Sequence, residues 1–135
     1  MEFCREHLKI ENDEDIVKVR KAVKAFSEKI SLKLVEQTKI ITAASEIARN
    51  TLEHGGGGFV DIEIIEKLGM QGIKMTFRDE GDGIEDIELA LKDGYSTGNG
   101  LGLGLGGAKR LVDEFYIDSQ KGKGTTVILI KLKRM

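Results

Sequence analysis

Gly98-Asn99-Gly100-Leu101-Gly102-Leu103-Gly104-Leu105-Gly106-Gly107 is the stretch whose reading decides the fold. Six glycines fall in ten residues, alternating with leucines, and the helix-like segment Ala108-Lys109-Arg110-Leu111-Val112 follows at once. Glycine admits backbone conformations closed to other residues and lets a ligand come close to the main chain. A glycine-rich turn feeding a helix N-terminus presents bare N–H groups and a positive dipole end, which suits phosphate. Gly102, Gly104 and Gly107 also spell G-x-G-x-x-G, with Asp118 at a strand end further on, imitating a dinucleotide fingerprint. That fingerprint must follow directly on a strand within a βαβ unit. Here the loop-like run Asp93-Gly94-Tyr95-Ser96-Thr97-Gly98-Asn99 precedes it, and no G-x-x-x-x-G-K-[ST] occurs, which excludes a P-loop.

Working outward, the spacing predicts strands near 115–119 and 125–132 after a helix running to about Asp113, and a short helix over 86–92 ended by Asp93-Gly94. Val60, Ile62 and Ile64 alternate with Asp61 and Glu63, and Ile73, Met75 and Phe77 with Lys74, Thr76 and Arg78. Such alternation marks an antiparallel pair with one buried and one wet face. Further back, Ile16, Val19, Val23, Phe26 and Ile30 recur at three and four, an amphipathic helix stripe capped by Asn12 or Asp13. A second helix covers about Lys33 to Glu53, apolar nearly all round from Ile40 to Ala48. Leu8 and Ile10 suggest an edge strand over 3–10. The fold class expected is α/β, a two-layer sandwich with helices on one face of a mixed, mostly antiparallel sheet.

The 135 residues form a single domain, 1–135, with a formal charge of −2. That balance gives no reason to expect nucleic acid or an anionic membrane as partner. The one cysteine, Cys4, fits a reducing cytoplasm and reads as a half-buried apolar residue. No run approaches the roughly 18 apolar residues of a membrane span.

Two constellations carry chemistry. Glu46, Asn50 and His54 are spaced i, i+4, i+8, and each step of four advances about 40° around a helix, so they share one face. A carboxylate and a carboxamide amid apolar residues are costly to bury unless something satisfies them. Asp79-Glu80-Gly81-Asp82-Gly83 sits where the second strand of the pair ends. An aspartate followed by Gly-x-Gly there can aim a carboxylate into a pocket while the glycines let a flat ring lie on the backbone.

These elements, in this order, resemble the GHKL (Bergerat) ATP-binding fold of histidine kinases, type II topoisomerases and Hsp90-type chaperones. Glu46-x-x-x-Asn50 looks like the N box, Asp79-x-Gly81-x-Gly83 the G1 box, Gly100–Gly107 the G2 box, and Gly124-Thr125 the late Gly-Thr pair. Small size points within that fold to the bacterial serine/threonine kinases of partner-switching systems. The runs Ser45-Glu46-Ile47-Ala48-Arg49-Asn50, Asp93-Gly94-Tyr95-Ser96-Thr97 and Lys109-Arg110-Leu111-Val112-Asp113-Glu114-Phe115 look most like the switch kinases of stressosomes, with the anti-sigma kinases next.

The resemblance implies roles residue by residue. Asn50 would ligate Mg²⁺ bridging the ATP phosphates, and Glu46 would be the general base toward a protein hydroxyl. Asp79 would accept from the adenine amino group, with Gly81 and Gly83 beside the ring and Thr125 completing the contacts. Residues from about 85 to 101 would be a lid, and Gly100, Gly102, Leu103, Gly104, Leu105 and Gly106 would hold the phosphates. His54 receives no catalytic role. The implied substrates are STAS-domain scaffold or antagonist proteins, with a downstream effector activated on release. The alternative is an anti-sigma factor kinase that binds and inhibits a sigma factor and phosphorylates an anti-anti-sigma STAS protein. A nucleotide-gated binding module without phosphotransfer is a third reading, against which Glu46 argues.

Overall fold

Asn12 starts the first helix by local hydrogen bonding. Its Oδ1 accepts from the Asp15 amide at 3.0 Å, and Asp15 Oδ2 accepts in return from the Asn12 amide at 3.3 Å, a reciprocal cap at an end where acidic side chains also suit the dipole. In the computed structural model, which describes residues 4–83, 91 and 104–134, the elements are β1 (Arg5–Ile10), α1 (Asp13–Lys29), α2 (Leu34–Glu53), β2 (Gly58–Lys67), β3 (Met70–Asp79), α3 (Gly104–Arg110), β4 (Glu114–Ser119) and β5 (Thr125–Leu132).

α1 stops where Ser31 enters the left-handed region at φ +58. The Ser31 amide donates to Glu28 O and the Leu32 amide to Ser27 O, both at 3.0 Å. This pairing satisfies the last carbonyls and turns the chain back. α2 then packs against α1, burying Ile40, Ala43, Ala44, Ile47 and Ala48.

The strands form one sheet in the order β1-β2-β3-β5-β4. The sequence suggested a mixed, mostly antiparallel sheet; all four described pairings are antiparallel. β1 lies at the edge, as its short alternation suggested. Val60 and Ile62 of β2, Ile73, Met75 and Phe77 of β3, and Val127 and Leu129 of β5 join the helix stripe in one core cluster. Helices α1 and α2 cover one face, and α3 packs on α2.

α3 is shorter than its apolar pattern implied, ending at Arg110 instead of about Asp113. Asp113 is claimed by the sheet: its amide donates to Ile130 O at 3.0 Å and its Oδ2 accepts from the Leu132 amide at 2.7 Å. Once its backbone pairs with β5, it cannot continue a helix. Cys4 is exposed, not half-buried. The expected short helix over 86–92 lies outside the described residues save for Leu91.

Candidate functional site

The C-terminal half of α2 places a carboxylate where apolar residues dominate. Glu46 is only 7% exposed, flanked by buried Ala43, Ala44, Ile47 and Ala48, and Asn50 one turn on is half-buried. Neither points freely into water, so the shared polar face is an enclosed one. His54 follows as the exposed C-cap of the helix.

The helix then ends on Asn50 itself. Its carbonyl accepts from both the His54 amide at 2.9 Å and the Gly55 amide at 3.2 Å. Gly56 at φ +72 and Gly57 at φ +104 use backbone space that other residues rarely enter. They swing the chain into β2, whose first residue, Gly58, pairs with Asp79 at the end of β3. This turn brings the two constellations together. A Cβ on Gly55 would lie 2.3 Å from the Asp79 Cγ, so the end of α2 rests directly on the Asp79 carboxyl.

Asp79 also pairs with Thr125, the first residue of β5. Its Oδ1 accepts from the Gly81 amide at 2.9 Å. Burial pushes the Asp79 carboxyl above its ordinary range, and the backbone amides of Gly81 and Thr125 pull it partly back. Among the described residues no cation pairs with it. The result is a desolvated carboxyl held by neutral donors, with lone pairs left for another donor.

The surrounding glycines are required by the protein's own backbone. A Cβ on Gly81 would come within 2.6 Å of the Gly55 Cα, and one on Gly83, at φ +77, within 2.0 Å of Gln120 O. One on Gly124, at φ +81, would come within 2.3 Å of Asp79 O. The loop after β3 is thus sandwiched between the end of α2 and the β4–β5 turn, where the Gly122 amide donates to Asp82 O. Thr125 Oγ1 shares a 2.7 Å hydrogen bond with Ser119 Oγ.

Gly104 opens α3 at φ +52, and Leu105, Gly106 and Gly107 are buried. Because the Leu105 side chain belongs to the core cluster, only its main chain is left for a ligand. Gly100, Gly102 and Leu103, and residues 85–101 of the expected lid apart from Leu91, lie outside the described residues. Asp79, Gly81, Gly83 and Thr125 therefore gather at one end of the sheet, between the β4–β5 turn and the end of α2, the helix whose C-terminal half carries Glu46 and Asn50. Gly55 was missed by reading motifs one at a time. The signal was the run Gly55–Gly58 between helix and strand, too glycine-rich for an ordinary connection.

Comparison with known proteins agrees with this geometry. Residues 35–134 match the model of the histidine kinase-, DNA gyrase B- and HSP90-like ATPase family. The chain is 40% identical to the serine/threonine-protein kinase RsbT of Bacillus subtilis over 94% of its length and 96% of that protein's. It is 36% identical to an anti-sigma F factor of Geobacillus kaustophilus over 83% of its length and 80% of that protein's. A structure of RsbU and RsbW domains from Mycobacterium tuberculosis superposes with a TM-score of 0.68 at 21% identity, covering 98% of this chain and 34% of that one. The mycobacterial sensor histidine kinase MprB superposes at 0.56 and 15% identity, over 96% and 98%. Both structural matches speak for the fold.

Proposed function

This chain belongs to the histidine kinase-, DNA gyrase B- and HSP90-like ATPase family, and on that premise we propose that it is an ATP- and Mg²⁺-dependent serine/threonine kinase of a partner-switching system. Its acceptors are STAS-domain proteins of stressosome type, and on release from them it activates a downstream effector in the cytoplasm. The observation that carries the reading is the Gly55–Asp79 contact, which puts the Asn50 end of α2 against a desolvated carboxyl.

Asp79 takes the adenine amino group on its remaining lone pairs, oriented by Gly81 and Thr125, while Gly83 and Thr125 border the ring. The main chain at Gly100, Gly102, Leu103, Gly104, Leu105 and Gly106 holds the phosphates. Mg²⁺ is usually held by one or two protein oxygens plus substrate phosphates, and the Asn50 carboxamide oxygen fits that sparse demand. When bound, Mg²⁺ supplies neutralisation of charge on the transferred group. Glu46, enclosed one turn before Asn50, accepts the proton of the acceptor hydroxyl as it attacks, a role typically worth about 10²–10⁴ in rate.

The test is transfer of labelled phosphate to a purified STAS-domain protein, comparing the wild type with Asn50→Ala. Transfer by the wild type and its loss in the variant is expected. Equal labelling by both would remove Asn50 from the metal site, and no transfer by either would remove the kinase reading. The anti-sigma reading has its own support in the 36% identity to an anti-sigma F factor. It requires co-purification with a sigma factor, which the switch-kinase reading does not.

A further inference from the structure

Arg49 lies between the two functional residues of α2 in sequence, and the phosphotransfer reading gives it no task. Its Nε is shut off from solvent and has no hydrogen-bond partner among the described residues, although the residue as a whole keeps part of its surface open. A buried donor left unpaired is unusual in a folded protein and calls for a cause. On a helix with about 100° per residue, Arg49 sits about 60° from Glu46, on the side opposite Asn50. It also lies about 200° from Ile47 of the core cluster, so it projects away from that core.

Around α2 the order is therefore Asn50, Glu46, Arg49. Asn50 marks the nucleotide side, because the turn that closes on its carbonyl also packs on Asp79. Glu46 is in the middle, where the attacking hydroxyl must pass. Arg49 lies on the far side of Glu46 from the nucleotide.

We propose that Arg49 is the acceptor-recognition residue of this kinase, whose guanidinium takes a carboxylate of the acceptor protein beside its phosphorylated serine or threonine. This rests on the kinase reading above. An arginine Nε–H and the neighbouring Nη–H form a planar edge matching the two oxygens of a carboxylate, a geometry lysine cannot reproduce. The Nε–H is already desolvated in the free protein. Movement of the flexible side chain onto an incoming carboxylate regains a bond with little further desolvation.

The test uses the full chain, a purified STAS-domain acceptor and ATP, with Arg49→Lys and Arg49→Ala. The specificity constant for the acceptor should fall about 10–100-fold in both, the range for losing a charged hydrogen bond, with nucleotide affinity unchanged. Unchanged acceptor kinetics would overturn the proposal, as would a parallel loss of nucleotide affinity, which moves Arg49 to the phosphates. Full rescue by lysine would overturn the carboxylate fork. Arg49→Lys keeps stem and charge, so its melting temperature separates a folding defect from a recognition defect. Absence of transfer by the wild type itself would instead sink the kinase reading.

Discussion

At the N-terminal end of α2, Glu36 is held by Lys131 Nζ at 3.0 Å and Lys39 Nζ at 3.3 Å. At the C-terminal end, Asp79 rests against Gly55 with amides alone for company. Both are carboxyls in contact with the same helix layer, and their environments push them in opposite directions. The Lys131 hydrogen bond holds Glu36 below the ordinary carboxyl range against an opposing desolvation, whereas desolvation lifts Asp79 above it. Lys131 is itself 6% exposed and satisfied by Glu36. A cavity of about 320 Å³ lined by Ser31, Leu32, Lys33, Glu36, Lys133 and Arg134 lies at this first end, where Glu36 is answered by Lys131 and Lys39 and Arg134 by Asp113. Polar groups whose needs are met inside the fold act as scaffold. Those left short, as Asp79 is of a cation and Arg49 is of an acceptor, mark where the molecule expects something else.

The comparison breaks most visibly at Glu46. Glu46→Gln should lower phosphotransfer by about 10²–10⁴ while ATP still binds, read by labelled transfer beside nucleotide titration; loss of both would place Glu46 with the scaffold groups. Next in size is Asp79→Asn, which should weaken nucleotide binding roughly 10–100-fold, as expected for one hydrogen bond to a charged group. It should not destabilise the fold. A carboxyl raised by burial opposes folding as pH rises through its range, so the variant should melt no lower than the wild type at neutral pH. The two should converge in acid, where Asp79 is protonated.

Glu36→Gln should do the reverse, costing about 2 kcal/mol at neutral pH because it strips a buried lysine of its charged partner, with nucleotide affinity untouched. A depressed carboxyl contributes its stability above its unfolded pKa and loses it as pH falls. The deficit in denaturant unfolding should therefore shrink on acidification below the ordinary carboxyl range. A deficit independent of pH would mean the pair does not act through charge. Smallest is Ser31→Gly, which relieves a left-handed serine at the end of α1 and should add about 1 kcal/mol without effect on the nucleotide site.

Much of this was legible in the chain. Alternation placed β2 and β3, the stripe Ile16–Val19–Val23–Phe26–Ile30 placed α1, and its cap was readable as Asn12 or Asp13 because capping partners lie only a few residues away. Glu46 and Asn50 stood out because a helix that is otherwise apolar exposes its exceptions. The role of Gly55 was not legible, since its partner Asp79 lies far along the chain and a missing side chain leaves no pattern. The shortened α3 was hidden for the same reason: Asp113 leaves the helix to pair with Ile130 and Leu132.

Sequence by itself determined which residues are polar where burial is expected, and periodicities of two and of three to four assigned them to strands and helices. Only the tertiary structure decided that Gly81, Gly83 and Gly124 are glycine because backbone presses on backbone there. It alone decided which carboxyl is paired and which is left short, because desolvation and hydrogen-bond satisfaction depend on neighbours that the folded chain, not the local sequence, brings within reach.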